Sequence, residues 1–129
     1  MIVLDACVLI AHLDATDVHH ERATRLLAES GDLRLHASVL TLAETLVGPV
    51  RTGRGHHVQQ ALTRLGVTPL GLPADIAVEL AAVRARTGLK MPDAVVLLTA
   101  ETHHAALATF DDKLRRAASS RDVAVYPDA

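Results

Sequence analysis

Aromatic side chains are nearly missing from this chain: one Phe, one Tyr and no Trp in 129 residues. Any core must therefore be built from Ala, Leu and Val. The scarcity also argues against the stacking platforms on which single-stranded nucleic acid usually rests, so contact with nucleic acid would run through phosphates and a metal. Cys7 is the only cysteine, which excludes an intrachain disulfide and fits a reducing compartment. No uncharged apolar run approaches the roughly 18 residues of a membrane span, and no basic leader precedes an apolar stretch. The expectation is a soluble cytoplasmic protein with no membrane partner. A strong charge of either sign is lacking as well. The formal net charge of −2 carries no electrostatic signature of a nucleic-acid binder. Phosphate-binding glycine loops of the G-x-x-x-x-G-K-[ST] and G-x-G-x-x-G kinds do not occur, so triphosphate and dinucleotide binding have no support.

What is present is apolar and periodic. Half the residues are hydrophobic, enough to bury one sizeable core, and the length fits a single domain over residues 1–129. Ile2 to Leu4 read as a strand buried on both faces, followed by a helix over Ala6–Leu13. Asp17 is placed as the N-cap of a second helix with Ala23, Leu26 and Leu27 inward, ended by the turn Ser30-Gly31-Asp32. Leu33 and Leu35 alternate with Arg34 and His36, a second strand. Ser38 caps a helix carrying Leu40, Ala43, Leu46 and Val47, ended near Gly48-Pro49. Arg51 to His57 reads as an exposed connection, and Val58 to Leu65 as a helix. Val67 to Leu70 is a third strand. Pro73 to Thr87 is a helix with Ile76, Val78, Leu80 and Val83 inside, closed by Gly88. Pro92 opens an apolar helix running to about His103. Ala106 to Phe110 is a strand, Asp111 to Ser119 a helix, and Val123 to Val125 a last strand. Strands alternate with helices throughout, which predicts a parallel sheet covered by helices on both faces.

In such a sheet, ligands bind outside the carboxyl ends of the strands. Asp5 directly follows the first strand and Asp111 follows Leu107-Ala108-Thr109. Asp93 lies in the first turn of a helix otherwise made of Ala, Val and Leu, and Glu44 lies mid-helix between Leu42 and Leu46. Taken singly, Asp5 and Asp111 read as helix caps and Asp93 as an acid favouring a helix dipole. Glu44 has no capping role. Four carboxylates beside buried apolar segments repel one another and lose hydration, and only Lys90 and Lys113 stand near enough in sequence to offset them. A divalent cation with oxygen ligands resolves that conflict.

The same residues resemble the PIN-domain family, and within it the compact toxins of VapBC-type toxin–antitoxin pairs. The resemblance is carried by Ile2-Val3-Leu4-Asp5-Ala6-Cys7-Val8-Leu9-Ile10, by Leu42-Ala43-Glu44-Thr45-Leu46, by Met91-Pro92-Asp93-Ala94-Val95-Val96 and by Leu107-Ala108-Thr109-Phe110-Asp111. It spans nearly the whole chain. It implies an α/β fold, a PIN-like three-layer α/β/α arrangement with a short-stranded, mostly parallel central sheet. It also implies a Mg²⁺ pocket (Mn²⁺ as substitute) formed by Asp5, Glu44, Asp93 and Asp111, with Thr109 as a supporting hydroxyl. The implied activity is endoribonuclease cleavage of RNA by a homodimeric toxin that a cognate antitoxin inhibits. This chain departs from the pattern in two places. Ala6 and Cys7 stand where some relatives carry Ser, Thr or Asn, and Asp112 follows Asp111, although spacing from Thr109 favours Asp111.

Arg51, Arg54, Lys90, Lys113, Arg115 and Arg116 are candidates for phosphate contact, with Lys90 and Lys113 favoured. The paired histidines His19-His20, His56-His57 and His103-His104 point about 100° apart on a helix, so they do not converge on zinc and read as solvent-facing. Cys7 has no basic neighbour and makes a poor nucleophile. The alternatives are a catalytically inert PIN-fold binding module and another metal-dependent phosphoryl-transfer enzyme. A phosphoaspartate mechanism would want a second acid where Cys7 stands.

Overall fold

The computed structural model describes residues 1–128. Its described residues form five strands and seven helices. In chain order these are β1 (Ile2–Leu4), α1 (Ala6–Leu13), α2 (His20–Glu29), β2 (Leu35–Ser38), α3 (Val39–Arg51), α4 (Gly55–Leu65), β3 (Thr68–Leu70), α5 (Ala77–Thr87), α6 (Met91–Thr102), β4 (Ala106–Ala108), α7 (Asp112–Ser120) and β5 (Val125–Tyr126).

The sheet order is β3-β2-β1-β4-β5, and every pairing is parallel. β1 is therefore central, and its three residues are all buried. Alternation sends Ile2 and Leu4 into one apolar cluster with residues of α1, α2 and α4, and Val3 into a second with residues of α5, α6 and α7. These clusters are the two outer layers of an α/β/α sandwich made almost wholly of Ala, Leu, Val and Ile. Each fully buried Leu or Val contributes roughly 1.5–3 kcal/mol by leaving water. The crossover order puts the carboxyl ends of β1, β2 and β4 side by side. Asp5, Ser38 and Thr109 follow or end those strands.

Several local expectations are corrected. Asp17 does not cap α2. Its carboxylate instead accepts from the His19 N–H (2.8 Å), closing a turn, and the helix starts at His20. The second strand begins at Leu35, and all four of its residues are buried. Its edges are paired with β1 and β3 and its faces are packed by α3 and α6, so its polar positions His36 and Ser38 are enclosed too. On α3 the inward residues are Thr41, Leu42, Thr45 and Leu46, whereas Leu40 and Val47 are exposed. Thr45 can turn inward because its hydroxyl donates to the Thr41 carbonyl (2.9 Å). The Thr41 hydroxyl is buried without a hydrogen-bond partner among the described residues.

α3 also runs through Gly48-Pro49 to Arg51. A proline near a helix end removes only one intrahelical bond, and the Pro49 carbonyl is used by Thr52 and Arg54 N–H groups beyond the helix. α4 begins at Gly55, so His56 and His57 are helical rather than part of a connection. α5 starts at Ala77, after a turn. Val83 is its buried residue, while Val78 is 80% exposed. Its end at Gly88 has the left-handed φ of +70° that glycine adopts without strain. β4 ends at Ala108 and β5 starts at Val125, each two residues away from the expected limit.

Candidate metal centre

Asp5 is the most firmly held acid. It is buried as the N-cap of α1, directly after the central strand. Its Oδ1 accepts from the Ala6 N–H (2.8 Å), and its Oδ2 accepts from the Thr109 hydroxyl (2.7 Å) and the Cys7 thiol (3.2 Å). Three donors on one carboxylate compensate much of its lost hydration. Thr109, itself fully buried, reaches both ways, since its Oγ1 also accepts from the Asp111 N–H (3.0 Å). One hydroxyl thus ties the acid after β1 to the acid after β4.

Asp111 caps α7, accepting from the Leu114 N–H (2.8 Å) through Oδ1. The cap uses Oδ1 alone. Asp93 is half-buried in the first turn of α6. Burial pushes its carboxyl above the usual range, Asp5 and Asp111 push the same way, and Lys90 and Lys113 pull back. Glu44 projects from α3. Desolvation raises its carboxyl too, followed by the charges of Asp5 and Asp93. Most of Glu44 meets solvent, so the like charges are the part of that shift that locates it. The mutual repulsions link all four acids: Glu44 and Asp93 each feel Asp5, Glu44 feels Asp93, and Asp93 feels Asp111. Asp111, not Asp112, is the one that Asp93 feels.

Four carboxylates with little cationic relief have the donor chemistry of a hard divalent cation. Among the described residues, however, no three His, Cys, Asp or Glu side chains close into a ready-made cage. The set is open, and a cation held by it would keep several waters as ligands.

Two of the basic candidates are engaged within the chain. The Lys113 ammonium donates to the Gly88 carbonyl (2.9 Å), pinning the loop before α6, and the Arg115 guanidinium donates to the Thr109 carbonyl (3.2 Å). Arg51, Arg54 and Arg116 are exposed.

Two groups of residues have contacts that the sequence did not assign to them. Cys7 fills the position left open after Asp5: its thiol donates to Asp5 and accepts from the Phe110 N–H (3.4 Å). Burial and the Asp5 charge push that thiol up to about 12, so it stays protonated as a donor and has no nucleophilic character. The i, i+2 spacing of Asp5 and Cys7 at a helix start was the available signal. The second group is His19, Arg22 and Phe110, which assemble beside Asp111. His20 also departs from the solvent-facing reading, because its Nδ1 lies 2.8 Å from the Ala11 carbonyl.

With this geometry in place, the chain belongs to the PIN domain family, whose profile matches residues 2–119. Similar solved structures include a toxin–antitoxin complex from Klebsiella pneumoniae, at 26% identity over 86% of this chain and 87% of that one, with a TM-score of 0.70. FitAcB from Neisseria gonorrhoeae is 24% identical over 98% and 96%, with a TM-score of 0.70. VapC20 of Mycobacterium tuberculosis, a sarcin–ricin-loop-cleaving toxin, is 22% identical over 91% and 95%, with a TM-score of 0.74. The last two likenesses establish a shared fold. A comparison with curated proteins returns no significant match. No helix among the described residues is long and apolar enough to cross a membrane.

Proposed function

We propose that this protein is a Mg²⁺-dependent endoribonuclease, the toxin of a VapBC-type toxin–antitoxin pair, acting in the cytoplasm. The observation that carries the reading is the electrostatic linkage of Asp5, Glu44, Asp93 and Asp111, four acids from four separate segments at one end of a PIN-domain sheet.

Asp5, Glu44, Asp93 and Asp111 are the residues that would hold Mg²⁺, or Mn²⁺ in its place. When bound, the cation supplies Lewis-acid activation of water and charge stabilisation on the phosphate. The chain's own part is positional. Thr109 and Cys7 orient the Asp5 carboxylate, and Thr109 also fixes the backbone that presents Asp111. Lys113 holds the loop that leads into Asp93. Lys90 offsets part of the negative charge beside the position where an RNA phosphate would approach.

A cognate antitoxin, supported by the likeness to the Klebsiella toxin–antitoxin complex, and a second copy of the chain, which the resemblance to the VapBC-type toxins implies, are the proposed protein partners. Exposed Val39, Leu40, Val47 and Val50 along α3 offer apolar surface for one of them. The open geometry of the acids is the one observation that favours the inert binding module instead. The phosphoaspartate alternative is disfavoured, because the position two after Asp5 carries a protonated thiol rather than an acid.

Incubating purified protein with RNA in Mg²⁺ and in EDTA, then sequencing the RNA ends, tests the reading. Mg²⁺-dependent cuts that Asp5→Ala and Asp93→Ala abolish are expected. Variants that cleave as fast as wild type would overturn it.

A further inference from the structure

Phe110 and Tyr126 are the chain's only phenylalanine and tyrosine, and the acid cluster uses neither ring. Both stand at the carboxyl ends of adjacent strands, Phe110 just past β4 and Tyr126 at the end of β5. The start of α2 packs onto this corner. The Arg22 guanidinium carbon lies 4.8 Å from the Phe110 ring centroid. His19 stacks on the same ring at 4.8 Å with an interplanar angle of 27°, and its Nδ1 is 3.4 Å from an Arg22 terminal nitrogen. Arg22 is thus oriented by two rings while its residue remains exposed.

Beside this stack opens a groove of about 360 Å³ between α2 and the chain after β5, lined by Arg22, Arg25, Leu26 and Tyr126 among others. That volume falls within the roughly 300–1,000 Å³ of small-ligand sites. Tyr126 is 39% exposed, leaving ring surface for a ligand. The only ion pair among the described residues joins Arg121 and Glu101, so both groove arginines keep their charge for a ligand. Glu29 and Asp128 also line the groove, and two acids against two arginines leave it neutral. A neutral groove is not a general anion trap. It favours a ligand that offers phosphate to an oriented guanidinium and a flat face to a ring together. Glu29 lies about two helical turns from Arg22, roughly 10 Å along α2, so phosphate is favoured at the Phe110 end. The groove runs from there toward Ile2 and Leu33 at the amino ends of β1 and β2, while Phe110, on which Arg22 packs, sits between Thr109 and Asp111 and donates its N–H to Cys7.

We propose that this groove binds a nucleotide of the single-stranded RNA substrate flanking the scissile phosphate. Arg22, with Arg25 one turn on, takes phosphate oxygens, and Tyr126 stacks against the base. The assignment rests on the ribonuclease reading and names a substrate subsite of that same centre.

The experiment uses the full chain and a short fluorescein-labelled single-stranded RNA containing one cleavage site. Affinity is read by anisotropy in EDTA, and KM and kcat are read in Mg²⁺, for wild type, Arg22→Ala, Arg25→Ala, Tyr126→Leu and Tyr126→Phe. Arg22→Ala and Tyr126→Leu are expected to raise KM and weaken EDTA binding roughly five- to tenfold, the lower part of what one lost base stack costs. Their kcat should stay within about twofold, and Tyr126→Phe should match wild type. Because these side chains are exposed, unchanged thermal midpoints serve as the folding control, with Arg25→Ala as the independent second variant. Wild-type cleavage with unchanged KM and affinity in all three truncations overturns the groove while leaving the ribonuclease reading intact. No RNA binding or cleavage by wild type overturns both.

Discussion

Thr109→Val replaces a hydroxyl with a methyl of nearly the same size, so it removes hydrogen bonds without opening a cavity. Two strong bonds are lost, the 2.7 Å donation to Asp5 Oδ2 and the 3.0 Å acceptance from the Asp111 N–H, together with a long 3.5 Å contact to the Cys7 sulfur. A hydrogen bond to a charged group is worth about 1.5–3 kcal/mol, and a donor left without a partner costs about 1–3 kcal/mol. Asp5 retains its Ala6 and Cys7 donors, and the Asp111 N–H lies in a partly solvated region. The combined loss should therefore fall near the middle, at about 2–4 kcal/mol. For a domain of this length that corresponds to a thermal midpoint lower by roughly 6–15 °C. The assay is thermal unfolding followed by circular dichroism at pH 7 in EDTA, where cation binding does not contribute. Thr109→Ser keeps both bonds and loses one buried methyl, so its loss should be about 1 kcal/mol. Nuclease activity measured well below both midpoints should fall in Thr109→Val and be largely kept in Thr109→Ser. If Thr109→Val unfolds within about 2 °C of wild type, the hydroxyl is not what holds Asp5 and the strand-end architecture argued above is wrong.

Other perturbations follow from the same network. With its thiol pushed up to about 12, Cys7 should have only about one part in ten thousand as thiolate at pH 8. Native protein should therefore resist iodoacetamide for an hour at that pH, and rapid labelling would contradict the protonated-donor role. Cys7→Ser should keep activity and Cys7→Ala should reduce it, with RNA cleavage as the measure. Glu44 and Asp93 are raised above ordinary values of 4.5 and 3.8, so the folded chain holds protons that the unfolded chain has released. Their ionisation therefore opposes folding at neutral pH, and this opposition fades as pH falls through the raised folded values. In EDTA, Asp93→Asn and Glu44→Gln should raise the midpoint at pH 7 and flatten its pH dependence; a lower midpoint in both would refute the repulsion. Mg²⁺ at about one hundred times its dissociation constant should stabilise wild type by about 2.7 kcal/mol, and Asp93→Ala should lose that gain in a thermal-shift titration.

The strand–helix alternation was legible because short Val-, Ile- and Leu-rich runs are bounded by capping residues, as at Leu4-Asp5, Ala37-Ser38 and Ala108-Thr109. The parallel sheet follows from that alternation. Element faces were harder to read. On α3, hydropathy favours Leu40 and Val47 as inward residues, yet Thr41 and Thr45 occupy the core side. A threonine whose hydroxyl bonds one turn back packs as an apolar residue, and side-chain type alone conceals this. Val78 on α5 fails the same test for a different reason: an exposed apolar side chain is ordinary on a folded surface. The four acids stood out as candidates because each sits where a strand ends or on an otherwise apolar helix, and the structure links them through the like charges felt by Asp93 and Glu44. The sulfur and hydroxyl contacts around Asp5 depend on how β1 and β4 are registered, Leu4 opposite Ala108. No local pattern carries that information. The Phe110 stack was hidden for the same reason, since His19 and Phe110 are far apart in sequence and meet only through the sheet order.

The hydrogen bonds divide the four acids into two kinds. Asp5 spends both oxygens on donors from its own surroundings, and Asp111 spends one on the α7 cap, so these two are fixed by the fold itself. Asp93 and Glu44 are placed by their helices, and the like charges around them act on side chains that the fold leaves freer. Like charges at a site can be relieved by protonation, by movement of the less tethered groups, or by a cation. Burial and like charges push Asp93 and Glu44 toward the first, and the described residues close no ready-made cage. The third, on the proposed function, would draw Asp93 and Glu44 toward the fixed pair. The order of tethering, Asp5 before Asp111 before Asp93 and Glu44, follows from counting donors: three for Asp5, one for Asp111 and none for the other two among the described residues.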